Sequence, residues 1–179
     1  MKSVLISIQP KWVGKIARGE KTIEVRKTRP KLETPFKCYI YCTKNRNQAF
    51  YFEKKSCNGL MAITGSGKGK VIGEFVCDRI KKINIPIRDV TTPDMEIFSI
   101  ESCLSVEKLI NYIGNGQVGY GWNISDLKIY GKPKELSEFW YIDCKNKKNG
   151  CVGCKYKPTC IKNKVRPPQS YCYIEDLGE

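Results

Sequence analysis

Residues 19–26 read Gly-Glu-Lys-Thr-Ile-Glu-Val-Arg and put Lys21, Glu24 and Arg26 within one short stretch. Apolar Ile23 and Val25 alternate with Thr22, Glu24 and Arg26, the two-residue period of a strand with one apolar and one polar face. Glu24 and Arg26 then share a face, and Lys21, at the turn into the strand, reaches that face with its long stem. A carboxylate flanked by two cations at a strand mouth is suited to holding a phosphate and moving a proton beside it. The same alternation also fits a solvated ladder of surface charges.

The composition narrows the chemistry. The chain has no histidine, so the commonest general base and the commonest nitrogen ligand for metals are both missing, and any catalysis must use carboxylate, lysine, hydroxyl or thiol. Lys and Arg number 32 against 18 Asp and Glu, a formal charge of +14 that favours a polyanionic partner, most simply nucleic acid.

Cys144, Cys151, Cys154 and Cys160 form a second constellation, separated by six, two and five residues in a segment with Gly150, Gly153 and Pro158. Two thiolates two residues apart grip one metal ion from a tight turn, and two more complete a tetrahedron. The spacing predicts a structural zinc site with four cysteine ligands and no open position. A four-cysteine iron-sulfur cluster or unliganded thiols are the alternatives, and Cys172 lies near enough to replace one ligand. Eight Lys or Arg and no acidic residue lie from Cys144 through Arg166, Arg166 included, so this knuckle extends the basic surface.

Around these groups the pattern predicts an α+β fold. Residues 4–8 read as a strand and residues 11–18 as a helix with Trp12, Val13 and Ile16 as its apolar stripe, ended by Gly19. Residues 36–43 read as a strand in which Cys38 and Cys42 are small core residues. Residues 45–70 are the least ordered-looking part, and residues 65–70, Gly-Ser-Gly-Lys-Gly-Lys, lack the spacing of a phosphate loop and read as a basic hairpin tip. A strand over 71–78 and an extended segment over 79–90 follow. Ser105 caps a helix that Gly114 stops, with Val106, Leu109, Ile110 and Ile113 on one side. Residues 122–130 read as a strand and 139–142 as a further short one. No run approaches the length of a membrane span, and residues 4–8 are too short for a signal h-region, so the chain reads as cytoplasmic with its thiols reduced or bound to metal.

The segment 19–26 matches the Gly-x-Lys-x-x-Glu-x-Arg signature of the ASCH family, small domains of the PUA-like superfamily associated with RNA. The resemblance continues in Ser3-Val4-Leu5-Ile6-Ser7-Ile8, in Val71-Ile72-Gly73-Glu74-Phe75, in Tyr120-Gly121-Trp122-Asn123-Ile124 and in the tail from Pro167 to Tyr173, and is closest to the ASCH proteins carried by phages and their bacterial hosts. It implies a PUA-like mixed β pseudo-barrel with two or three helices over residues 1–142, with a cysteine-rich zinc knuckle inserted at 143–166 and a strand at 167–179 returning to the barrel.

That resemblance implies RNA or a modified nucleoside as ligand, bound in a basic cleft lined by Lys21, Glu24 and Arg26, with Trp122 as part of its wall. Some ASCH relatives are ribonucleases and others are amidohydrolases that remove an acetyl group from N4-acetylcytidine. The amidohydrolase branch uses a Lys, a Thr and a Glu. Here Lys21 matches, Glu24 stands at the Thr position, and Glu101 is the nearest third member. As a ribonuclease the chain would use Glu24 as base, with Lys21 and Arg26 stabilising the phosphate. A binder that does not cut uses the same residues, and a protein-interaction module built on the knuckle is a further alternative.

Overall fold

In the computed structural model, residues 2–55, 61–88, 90–142 and 165–178 are described. The four cysteines of the expected zinc knuckle lie outside them. The strands are β1 (Lys2–Ile8), β2 (Ile23–Arg26), β3 (Phe36–Cys42), β4 (Tyr51–Lys55), β5 (Met61–Ser66), β6 (Val71–Cys77), β7 (Ile80–Asn84), β8 (Val118–Asn123), β9 (Ser125–Lys134) and β10 (Tyr171–Glu175); the helices are α1 (Pro10–Ala17), α2 (Pro93–Ser102) and α3 (Val106–Ile113).

The chain divides into two compact units, one of residues 1–13, 37–74 and 128–179, the other of 14–36 and 75–127. A five-stranded sheet in the order β10-β1-β3-β6-β9 belongs mainly to the first. Its strand β1 runs parallel to β3 and antiparallel to β10. With neighbours on both edges and covered faces, β1 is buried from Ser3 to Ile8, which is why it reads as a nearly continuous apolar run. Leu5, Tyr39, Val71, Phe139 and Ile174 form the core here. Tyr39 donates to Asp176 at 2.5 Å and Tyr130 to Glu74 at 2.5 Å.

The second unit holds a three-stranded antiparallel sheet, β2-β8-β7, and the helices α2 and α3. Ile23 and Val25 of β2 pack with Ile83, Met95, Phe98, Leu109 and Ile113. Helix α3 starts where the sequence places it: Ser105 Oγ accepts from Lys108 N, and Gly114 follows the last turn with φ +105°. Gly121 on β8 lies opposite Val25, and a Cβ there would stand 2.6 Å from the Phe98 ring and 2.9 Å from Ile23 Cδ1, so α2 approaches the sheet only because this residue has no side chain.

Three expectations are corrected. Among the described residues the strands close no barrel, because β10 and β9 end one sheet, β2 and β7 end a second, and β4 and β5 pair as a third. The segment 65–70 is not the tip of a hairpin: Gly65 and Ser66 belong to β5, which pairs with β4 while β6 lies in another sheet, and the turn after them is held by Gly69 N donating to Cys42 O and Cys42 N to Lys70 O. The single strand expected at 122–130 is two, β8 and β9, separated at Ile124 and followed by Asp126 in the left-handed region at φ 47°.

Candidate functional site

The turn that delivers the signature residues starts at Gly19, whose φ of +74° lets the chain leave α1. Glu20 and Lys21 donate their backbone N–H groups to Lys15 O. The Glu20 carboxylate is exposed and receives hydrogen bonds from Arg18 Nε and Lys15 Nζ, which pull its pKa down to about 2. Thr22 N then donates to Glu101 O, and Ile124 N donates to Thr22 O, so this residue is pinned between α2 and the end of β8.

Lys21, Glu24 and Arg26 come together. Lys21 Nζ lies 3.4 Å from Glu24 Oε2, and Arg26 Nη2 lies 2.9 Å from Glu24 Oε1. The three are only 3%, 7% and 7% exposed, respectively, so this is a buried cluster of two cations and one carboxylate with a formal charge of +1. Lys21 Nζ also donates to the carbonyl of Ser102, the last residue of α2, at 2.8 Å. A helix C-terminus carries partial negative charge on its unsatisfied carbonyls, and an ammonium there is favoured. Cys103, at φ 55°, closes the same junction by donating its thiol to Glu20 O at 3.1 Å.

Register then fixes what stands beside the cluster. Glu24 pairs with Trp122, which pairs with Ile80; Arg26 pairs with Tyr120, which pairs with Lys82. Directly opposed residues on neighbouring strands project to one face, so Glu24 and Arg26 share theirs with Trp122, Tyr120 and Lys82. Trp122 does not wall an open cleft. It is completely buried, edge-on to Phe36 with ring centroids 5.9 Å apart, and it supports the strand from within the core.

Glu101 sits elsewhere. Its carboxylate pairs with Lys81 Nζ, and Lys81 lies in the row of Val25 and Gly121 on the opposite face of the sheet. Glu101 Oε2 is buried without a hydrogen-bond partner. The Thr22 hydroxyl donates to Glu101 O at 3.4 Å.

Tyr112 is an aromatic neighbour that the sequence pattern does not single out. It lies on α3, 40% exposed, with Lys27 Nζ 5.6 Å from its ring centroid. Burial of the hydroxyl raises its pKa, with Arg26 acting in the opposite sense and Glu24 in the same one. Lys27, Arg29 and Lys31, which follow Arg26 in the chain, are exposed.

This architecture has known counterparts. The ASCH protein from Zymomonas mobilis matches with a TM-score of 0.57 at 17% identity, over 97% of this chain and 87% of that one. A Ser-to-Ala mutant of the same protein matches with a TM-score of 0.58 at 16% identity, over 97% and 88% of the two chains, and a Tyr-to-Phe mutant with 0.57 at 17%, over 98% and 91%. The fold is ASCH-like. No family model matches the sequence, and no curated protein does. Within this ASCH-like fold the signature residues occupy a strand, its preceding turn and one buried ion cluster. Among the described residues no three Cys, Asp or Glu side chains group so as to hold a metal, and no helix is long and apolar enough to cross a membrane.

Proposed function

We propose that this protein binds RNA or a modified nucleoside at the site built on Lys21, Glu24 and Arg26, as a reader rather than a cutting enzyme. The observation that carries the reading is the buried cluster of two cations on one carboxylate. Its formal excess of one positive charge, followed in the chain by exposed Lys27, Arg29 and Lys31 and neighboured by the aromatic Tyr112, matches an anionic ligand that also has a flat ring. The overall charge of +14 adds long-range attraction of the same sign.

Binding without cleavage is favoured by what surrounds Glu24. Each of its oxygens already meets a cation, so a proton taken from a ligand would compete with Lys21 or Arg26 for the carboxylate. Nor is a hydroxyl nucleophile offered by Thr22, whose side chain bonds to the backbone of α2. In this reading Glu24 holds Arg26 in a fixed orientation, and Arg26 meets the ligand as a planar donor.

The test is titration of short RNAs and modified nucleosides, with mass spectrometry of the same mixtures. Binding that weakens steeply as salt is added, with the ligand recovered intact, is expected. Conversion to a product would replace the reader with an enzyme, and a salt-independent or absent interaction would reject the nucleic-acid reading.

The cysteine spacing supports a second proposal, a structural zinc ion held by Cys144, Cys151, Cys154 and Cys160.

A further inference from the structure

The row that starts at Arg26 continues across the sheet. Arg26 on β2, Tyr120 on β8 and Lys82 on β7 are directly opposed in consecutive strand pairs, so the three side chains leave one face in the order cation, aromatic ring, cation. With strands about 4.8 Å apart, the row spans about 10 Å from the ion cluster to the far edge of the sheet. It opens outward as it goes: Arg26 is buried, Tyr120 half-buried and Lys82 exposed. The preceding row, Glu24–Trp122–Ile80, offers no such path, because Trp122 is sealed in the core.

From this juxtaposition we infer that the ligand is a single-stranded oligonucleotide, with one base stacked on Tyr120 and phosphates on either side of it at Arg26 and Lys82. The inference rests on the nucleic-acid reading above and narrows it. A nucleoside has no phosphate and uses neither cation. A mononucleotide has one phosphate group, so it engages one cation and the ring and leaves the other cation unused. Only a chain with a phosphate before and after the base satisfies all three groups. A duplex does not fit, since its base faces are covered by their own stacking, whereas tyrosine takes an unstacked base.

The experiment measures binding of a fluorescein-labelled uridine ten-mer, of uridine monophosphate and of a ten-base-pair RNA duplex. The proteins are the wild type, Tyr120→Ala, Tyr120→Phe and Lys82→Glu. Expected are tighter binding of the ten-mer than of either other probe, a loss of about tenfold in ten-mer affinity for Tyr120→Ala, a comparable loss for Lys82→Glu, and retention in Tyr120→Phe. Lys82 is exposed, so its variant folds and reports on the track even where Tyr120→Ala is destabilised. If the ten-mer binds but Lys82→Glu and Tyr120→Ala bind it as the wild type does, the track is refuted while the nucleic-acid reading stands. Equal or tighter binding of the monophosphate or the duplex also refutes it. If no probe binds, the nucleic-acid reading falls and takes the track with it.

Discussion

Lys21 Nζ donates to Ser102 O at 2.8 Å, so a residue of the signature turn caps the end of a helix that begins more than seventy residues later in the chain. Two neighbouring contacts reinforce the junction, Thr22 N on Glu101 O and the Cys103 thiol on Glu20 O. The turn that presents the ion cluster is therefore held by α2 and is not a loop that positions itself. The proposed function and stability are joined at this point, because Lys21, one of the residues proposed to meet the ligand, also ties the helix down.

That joining makes the first prediction. Glu24→Gln leaves two buried cations without their carboxylate and should cost about 3–5 kcal/mol, as removal of one partner from a buried ion pair does. Lys21→Met keeps the Glu24–Arg26 pair and loses a charge-assisted hydrogen bond to the helix end, a cost of about 1–3 kcal/mol. Urea denaturation should thus rank wild type above Lys21→Met and Lys21→Met above Glu24→Gln. Midpoints equal to that of the wild type would mean that the cluster contributes nothing to folding. A loss of binding in either variant has to be read against its folded fraction.

Gly121→Ala should destabilise by about 1–3 kcal/mol, the range for inserting a methyl group into a filled core. The new Cβ meets the Phe98 ring and Ile23, and neither is the loose end of a flexible side chain. Thermal unfolding checks this, and an unchanged melting temperature would show that α2 is free to back away from the sheet.

How much of this was legible in the chain depends on how locally each feature is encoded. Helix α3 has a serine cap, a one-sided stripe and a terminal glycine, and it was readable from all three. Helix α2 went unread although Thr92 and Pro93 mark its start: Met95 and Phe98 are buried while Ile97 and Ile100 are exposed, so apolar residues point both ways and no stripe forms. The ion cluster was readable because its members lie within six positions on one strand and its turn. Ser102, Tyr112 and Tyr120 join it from distant segments, and only tertiary packing and strand register bring them there. Trp122 misleads for the same reason: its type fits a binding wall, and its central place on β8 beside Phe36 removes it from solvent.

Alkaline pH should expose groups buried in neutral form. Burial pushes the Cys42 thiol from 9.0 up to about 11; burial, aided by the negative charge of Asp78, pushes the Cys77 thiol up to about 12. Burial, together with the carboxylates of Asp176 and Glu74, also raises the Tyr39 and Tyr130 hydroxyls above their ordinary value of 10.0. A group whose pKa is higher folded than unfolded contributes its stability in full below the unfolded value and loses it as pH rises through the folded one. Stability should therefore decline from pH 9 towards 12. At pH 8, iodoacetamide followed by mass spectrometry should leave Cys42 and Cys77 unmodified until urea is added, and their labelling in the native protein would contradict the burial.

The zinc proposal is tested independently of the proposed nucleic-acid site. If Cys151 and Cys154 supply the tight half of the proposed site and Cys144 and Cys160 close it, elemental analysis should find about one zinc per chain. Cys151→Ser with Cys154→Ser should remove most of it, because one half of the tetrahedron is gone, and a chelator should do the same to the wild type. Four thiolates and one zinc ion would carry a net charge of −2, against eight Lys or Arg from Cys144 through Arg166, so the segment would stay basic with metal bound. If oligonucleotide affinity survives metal loss, the knuckle is separate from the nucleic-acid site; if it falls with the zinc, the knuckle contributes to that basic surface. A protein that is purified well folded, with its thiols reduced and no metal, would refute the site.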